Sequence, residues 1–212
     1  SQLSKDYKTD PTSPDELPLF RKFLAKAKMI VTTNYDTFIE DQLCLETGQE
    51  QTVHVGEKGL SNETDGTAEV FKIHGSVTVP NTIVITGNDY NQYDETKLLI
   101  SAKLLVALLH SPIIFLGYSL TDRNVISLLS DFSAHFPGPD IKEIADKIIV
   151  VKFEKNNPRL NETIQIREIP QSRDITYTSL KTDNYVRIYE QISKIDEGVS
   201  PAEIQKYSHL IR

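Results

Sequence analysis

With 212 residues, 39% hydrophobic and 25% charged, the chain has the make-up of one globular α/β domain, which excludes a mostly disordered segment. Against 30 Asp plus Glu stand only 23 Lys plus Arg, and the formal net charge of −7 argues against a dedicated nucleic-acid-binding domain. The single cysteine, Cys44, excludes an intrachain disulfide framework and a Cys-rich zinc module, and that usage fits a reducing, cytoplasmic compartment.

In chain order, residues 1–12 are polar and aperiodic and read as a loose N-terminal arm. Ser13-Pro14-Asp15-Glu16 carries a capping box, and Leu17, Phe20, Leu24 and Ala27 follow at helical spacing. Met29-Ile30-Val31 predicts a short buried strand ending at Thr32-Thr33, with Asn34-Tyr35-Asp36 as its turn. Phe38, Ile39 and Leu43 then mark a helix that stops near Gly48. Residues 49–69 read as a connecting loop with a short strand near Val53-His54-Val55. Nine acidic residues and one basic residue, Lys58, fall between Asn34 and Glu69, as on a solvated face.

Val70-Phe71-Lys72-Ile73 predicts the next strand, running into His74-Gly75-Ser76, and Thr82-Ile83-Val84-Ile85 predicts another. Residues 96–110 form a strongly apolar helix that Pro112 separates from the strand Ile113-Ile114-Phe115-Leu116. Gly117-Tyr118-Ser119-Leu120 follows that strand directly. Asp122 starts a helix with Val125, Leu128, Leu129 and Phe132 on one side. Ile148-Ile149-Val150-Val151 is the last strongly buried strand, and a weaker one lies near Ile175-Thr176-Tyr177. Two helices close the chain, the second opened by Ser200-Pro201-Ala202-Glu203. Strands that alternate with helices and read as continuous apolar runs predict a mostly parallel sheet covered on both faces.

Ligands of open parallel sheets bind beyond the carboxyl ends of the strands. Three strand ends here deliver small or polar residues at once: Thr33-Asn34-Tyr35-Asp36, His74-Gly75-Ser76 and Gly117-Tyr118-Ser119. Taken singly, Asp36 and Asp122 read equally well as helix caps, and His74 as a structural hydrogen-bonder. His54, His110, His135 and His209 lack metal-ligand spacing, and Tyr177, Tyr185, Tyr189 and Tyr207 read as packing residues.

V-T-T-N-Y-D (31–36), K-I-H-G-S (72–76) and F-L-G-Y-S-L-T-D-R-N (115–124) resemble the sirtuin-like family, above all the bacterial sirtuin-like domains of anti-phage defence proteins. I-T-G-N-D-Y (85–90) also fits that branch. The resemblance implies a Rossmann-like NAD-binding fold and cleavage of the nicotinamide–ribose bond. By motif position it implies catalytic roles for Asn34 and His74. It places Thr33, Asp36, Gly75, Gly117, Ser119 and Asp122 around NAD, which is substrate and not a resident cofactor. The residue types suit that chemistry. Breaking an N-glycosidic bond passes through an oxocarbenium-like state, an Asn offers both donor and acceptor to ribose or water, and a His is a general base near neutral pH.

Two departures shape the expectations. One cysteine cannot build the four-cysteine zinc ribbon usual in sirtuin deacylases, so no metal is expected and protein deacylation becomes a distant alternative. The family's Gly-rich phosphate loop has no counterpart, since the first glycine is Gly48 and no two glycines fall two apart. The expected architecture is therefore Rossmann-like, with a mostly parallel sheet and helices on both faces, lacking the N-terminal strand and the Gly-rich loop. Residues 13–195 would form a sirtuin-like domain and 196–212 a C-terminal helix. The expected function is NAD glycohydrolysis in bacterial anti-phage defence, weak or absent in this chain alone. The alternative is a non-catalytic NAD- or ADP-ribose-binding or oligomerising module. The expected partners are NAD and either further copies or other domains of a parent defence protein, with no nucleic acid and no membrane.

Overall fold

A computed structural model describes residues 15–56, 68–84, 101–118, 120, 123–135, 140–170 and 172–195. The arm at 1–12, the Ser13-Pro14 cap, the I-T-G-N-D-Y segment, Ser119, Asp122 and the helix expected at 196–212 lie outside them.

The first described helix, α1 (Glu16–Ala25), has Asp15 at its N-cap, whose side chain makes no capping hydrogen bond. It ends before Ala27, whose N–H donates to Leu24 O at 3.0 Å in a tightened last turn. Strand β1 (Met29–Thr32) follows, then α2 (Phe38–Thr47), which stops at Gly48 in the left-handed conformation the sequence called for. Strands β2 (Val53–Val55) and β3 (Glu69–Lys72) complete a three-stranded parallel sheet in the order β1-β3-β2.

The strand expected at Thr82–Ile85 is a correction. Residues Pro80–Thr82 make a 3-10 turn, residues 83 and 84 join no ladder, and Ile85 lies outside the described residues. Pro80 fixes the first φ and lacks an N–H, which suits a turn start, and the Thr82 hydroxyl closes the turn on Val79 O at 2.6 Å.

Helical residues 101–110 (α3) lead to β4 (Ile113–Leu116), α4 (Arg123–His135), α5 (Ile141–Lys147) and β5 (Ile148–Phe153). Strand β6 (Asn161–Arg167), which the sequence reading missed, pairs antiparallel with β7 (Ile175–Thr182), and α6 (Tyr185–Ser193) follows. The second sheet has the order β4-β5-β7-β6, parallel except for β6.

Strand alternation shows how the two sheets share their layers. On one side, Ile30, Val70, Ile114 and Leu116 pack in a single cluster with Phe23, Leu24, Leu43 and Tyr189 from α1, α2 and α6. On the other, Leu104 of α3 packs both against Phe71 and Met29 of the first sheet and in the core of the second, with Leu108, Leu129, Ile148 and Val150. Helices thus cover both faces of mostly parallel strands, a Rossmann-like α/β architecture. The strand order leaves β1 and β4 each at an edge of its sheet, with their side chains meeting in one cluster. Both edges are less buried than the strands inside. β4 (IIFL) is half-buried at every position, whereas β3 is buried along its whole length.

Candidate active site

The site is built on the register of β1 and β3. Their last paired residues are Thr32 and Lys72, so Asn34 and His74 each stand two residues beyond the same rung of adjacent parallel strands. Asn34 is exposed, while His74 is buried at 7% exposure. Thr33 and Asp36 are half-buried, and Gly75 and Ser76 are buried.

The turn that presents Asn34 is pinned at successive points. Its own N–H donates to Thr32 Oγ1 at 3.0 Å. The Asp36 carboxylate accepts the Phe38 N–H at 2.9 Å and so satisfies an orphan donor at the start of α2. Thr37 is the N-cap of α2 and makes no side-chain cap hydrogen bond, so Asp36 supports the helix start from one residue before the cap.

Tyr35 ties this turn to the next. Its carbonyl accepts the Val77 N–H at 2.9 Å, and its hydroxyl donates to Val84 O at 2.7 Å. Val84 in turn donates its N–H to His74 O at 3.0 Å. Asn34 and His74 thus sit on two turns clasped by the residue between Asn34 and Asp36. The His74 turn reverses at Gly75, whose φ is +95°, and a Cβ there would lie 2.3 Å from Thr82 O. Only glycine allows that approach. Buried Ser76 closes the loop through its hydroxyl, 2.8 Å from Thr78 Oγ1.

The third strand end belongs to the second sheet. Gly117, exposed and with φ +62°, opens a turn beyond β4 in which buried Leu120 also takes a positive φ of 53°. Arg167 of β6 holds this turn, donating from Nη1 to Leu120 O at 2.6 Å. Tyr35, Lys72 and Arg167 hold these turns, a role that strand-end residues alone do not announce. Lys72 is buried under the Asn34 turn, where its ammonium meets Glu40 Oε1 at 2.8 Å and the carbonyl oxygen of Asp36. The one available signal was its place in V-F-K-I, where strand alternation puts it on the face of Val70.

His54, left as a surface or core residue, is core. It is stacked on Phe71 with ring centroids 4.4 Å apart and lies 3.2 Å from buried Glu69. Among the described residues, no group of three or more His, Cys, Asp or Glu is placed to hold a metal ion.

The family model that matches is that of the SIR2-like domain, over residues 28–169. The chain is 32% identical over 117 residues to "Defense-associated sirtuin 2" of Bacillus subtilis, covering 53% of this chain and 11% of that protein. It is 25% identical over 174 residues to "NAD(+) hydrolase ThsA" of Bacillus cereus (strain MSX-D12), covering 79% of this chain and 36% of that protein. A ThsA of Acinetobacter baumannii (strain 532279) is 33% identical over 118 residues, covering 54% and 24%. The chain spans between 11% and 36% of the length of these relatives.

Proposed function

Since the chain belongs to the SIR2-like domain family, we propose that it is an NAD-cleaving domain whose reaction centre lies between Asn34 and His74. The observation that carries this reading is the Tyr35 clasp. It joins two turns two residues beyond the same rung of adjacent strands, one exposing Asn34 and the other holding the buried imidazole of His74. Relatives named as NAD(+) hydrolases support NAD as the substrate, and one named as a defence-associated sirtuin supports a setting in defence, which we read as bacterial anti-phage defence.

In this reading the exposed Asn34 carboxamide orients water and the ribose hydroxyls, donating and accepting at once. Nicotinamide leaves with the electrons of its bond to ribose C1′, water adds to that carbon, and His74 takes the proton of the water. Nicotinamide, ADP-ribose and a proton result. Thr33, Asp36 and Gly75 line the nicotinamide-ribose side. Gly117, with Ser119 and Asp122 beyond it, serves the adenosine side, where a small residue lets backbone approach the ligand. The reaction calls for no metal. The single cysteine suits action in a reducing, cytoplasmic compartment.

Nicotinamide release, followed chromatographically, tests this. In the parent protein, Asn34→Ala and His74→Ala should each abolish release at unchanged circular dichroism, and wild-type turnover in either would refute the assignment. A second reading, a module that binds NAD or ADP-ribose without cleaving it, is favoured by the missing glycine pair for the diphosphate. Saturable binding with no product would select it.

A further inference from the structure

We propose that Lys72 is a positioning residue for this reaction, setting the Asn34 turn relative to His74; the proposal rests on the assignment of those two residues. Strand β3 is buried throughout, and Lys72 is 1% exposed at its carboxyl end. Alternation places it on the face of Val70, where Leu43 and Ile39 of α2 pack. An apolar side chain would suit that face, because a buried ammonium costs free energy unless it is held. Its ion pair with Glu40, at 2.8 Å, does not explain its presence either, since buried pairs are often no more stabilising than apolar residues of the same volume.

What an apolar residue could not do is bind a backbone carbonyl. The first carbonyl that α2 itself satisfies is that of Thr37, which accepts the Asp41 N–H at 2.9 Å. The Asp36 carbonyl lies one residue earlier, and Lys72 Nζ supplies its donor. Glu40 aims the ammonium from one turn further along α2 with one oxygen. Its other oxygen, also buried, has no hydrogen-bond partner among the described residues.

The turn is thus fixed on both sides of the Asn34 side chain: by Thr32 Oγ1 at the Asn34 N–H and by Lys72 at the Asp36 carbonyl. Because Lys72 lies on the strand that reaches His74 two residues later, one anchor sets how far apart Asn34 and His74 stand. Small displacements of such a pair are costly to rate.

The test compares the wild-type 212-residue chain with Lys72→Met/Glu40→Met, which removes both buried charges at similar volume, and with Glu40→Gln, which keeps the lysine and its carbonyl contact. Amide hydrogen exchange is read at Asn34–Phe38 and at the core positions Val70 and Val150, alongside nicotinamide release. The double variant should unfold within a few degrees of wild type and exchange at wild-type rates in the core. Its amides at 34–38 should exchange at least about tenfold faster, and the weak nicotinamide release expected of this chain, read at high protein and NAD concentrations, should fall about 10- to 100-fold. Glu40→Gln should lose more global stability than the double variant, because the buried ammonium loses its counter-charge, yet its amides at 34–38 should not exchange faster relative to its own core. Unchanged exchange at 34–38 in the double variant, or a double variant that no longer folds, would overturn the proposal and leave Lys72 a merely structural residue. Asn34→Ala and His74→Ala, run beside them, report separately on the reaction assignment. Their retained turnover would refute that assignment, while the exchange data would still decide whether Lys72 sets the turn.

Discussion

Replacing Gly75 with alanine probes the link between local backbone geometry and the site most sharply. At φ +95° an L residue is disfavoured by about 1–2 kcal/mol, and the new methyl would meet Thr82 O at 2.3 Å, Thr82 C at 2.5 Å and Ile83 Cα at 2.7 Å. These are backbone atoms, so no side-chain rotation relieves the contact. The 80–84 segment must move, at a further ~1–3 kcal/mol typical of overpacking. The stiffened unfolded chain offsets only about 0.4–1 kcal/mol. A net loss of about 3 kcal/mol should lower Tm by roughly 6–12 °C for a domain of this size. Gly48→Ala is the control. Its φ of +71° is also left-handed, but nothing lies within 4 Å of a Cβ there, so only the conformational part remains, about 1 kcal/mol. Urea and thermal unfolding of the two variants supply the comparison. Since Val84 donates to His74 O, the forced shift at 82–84 should also disable nicotinamide release in Gly75→Ala and leave it intact in Gly48→Ala. Equal losses of stability in the two variants would refute the argument from the 2.3 Å contact.

Three further outcomes are expected. Tyr35→Phe leaves Val84 O without its donor, and should cost about 1–3 kcal/mol in urea unfolding and slow nicotinamide release more than it weakens NAD binding. Asn184→Ala removes the side chain that accepts the Arg187 N–H at 3.1 Å at the start of α6, and should cost ~1 kcal/mol in thermal unfolding without altering release. The 212-residue chain should bind NAD weakly by calorimetry. Two lost charge-assisted hydrogen bonds to the diphosphate, at roughly 1.5–3 kcal/mol each, weaken affinity by about two to four orders of magnitude. Micromolar affinity would show that another segment supplies the phosphate site.

What the sequence made legible follows from burial. β1, β4 and the start of β5 are continuous apolar runs, and β3 carries Val70-Phe71 between two charged ends, because helices cover both faces, while α2 ends where Gly48 permits a left-handed residue. β6 was invisible for the complementary reason. Asn161-Glu162-Thr163-Ile164-Gln165-Ile166-Arg167 is exposed at nearly every position and exists through its pairing with β7, which no local pattern announces. Thr82-Ile83-Val84 misled because an apolar run serves equally well to close a loop, and the deciding residue, Pro80, lies upstream of it. The candidate site divides the same way. Asn34, His74 and Gly117 are legible as abrupt strand ends. Their supports are not, because Lys72 meets Glu40 across 32 positions and Arg167 meets Leu120 across 47. A lone Lys or Arg in a sequence reads as solvent-facing until its partner is known.

The central claim is that the ends of β1, β3 and β4 form one NAD site, and mapping NAD onto the amide spectrum of the 15N-labelled 212-residue chain tests it most directly, because weak binding still shifts resonances. Millimolar NAD should perturb Thr33–Asp36, His74–Ser76 and Gly117–Tyr118 together, with a single saturation curve and little change along β6. Shifts confined to β6, or no shift at any of the three strand ends, would contradict the account.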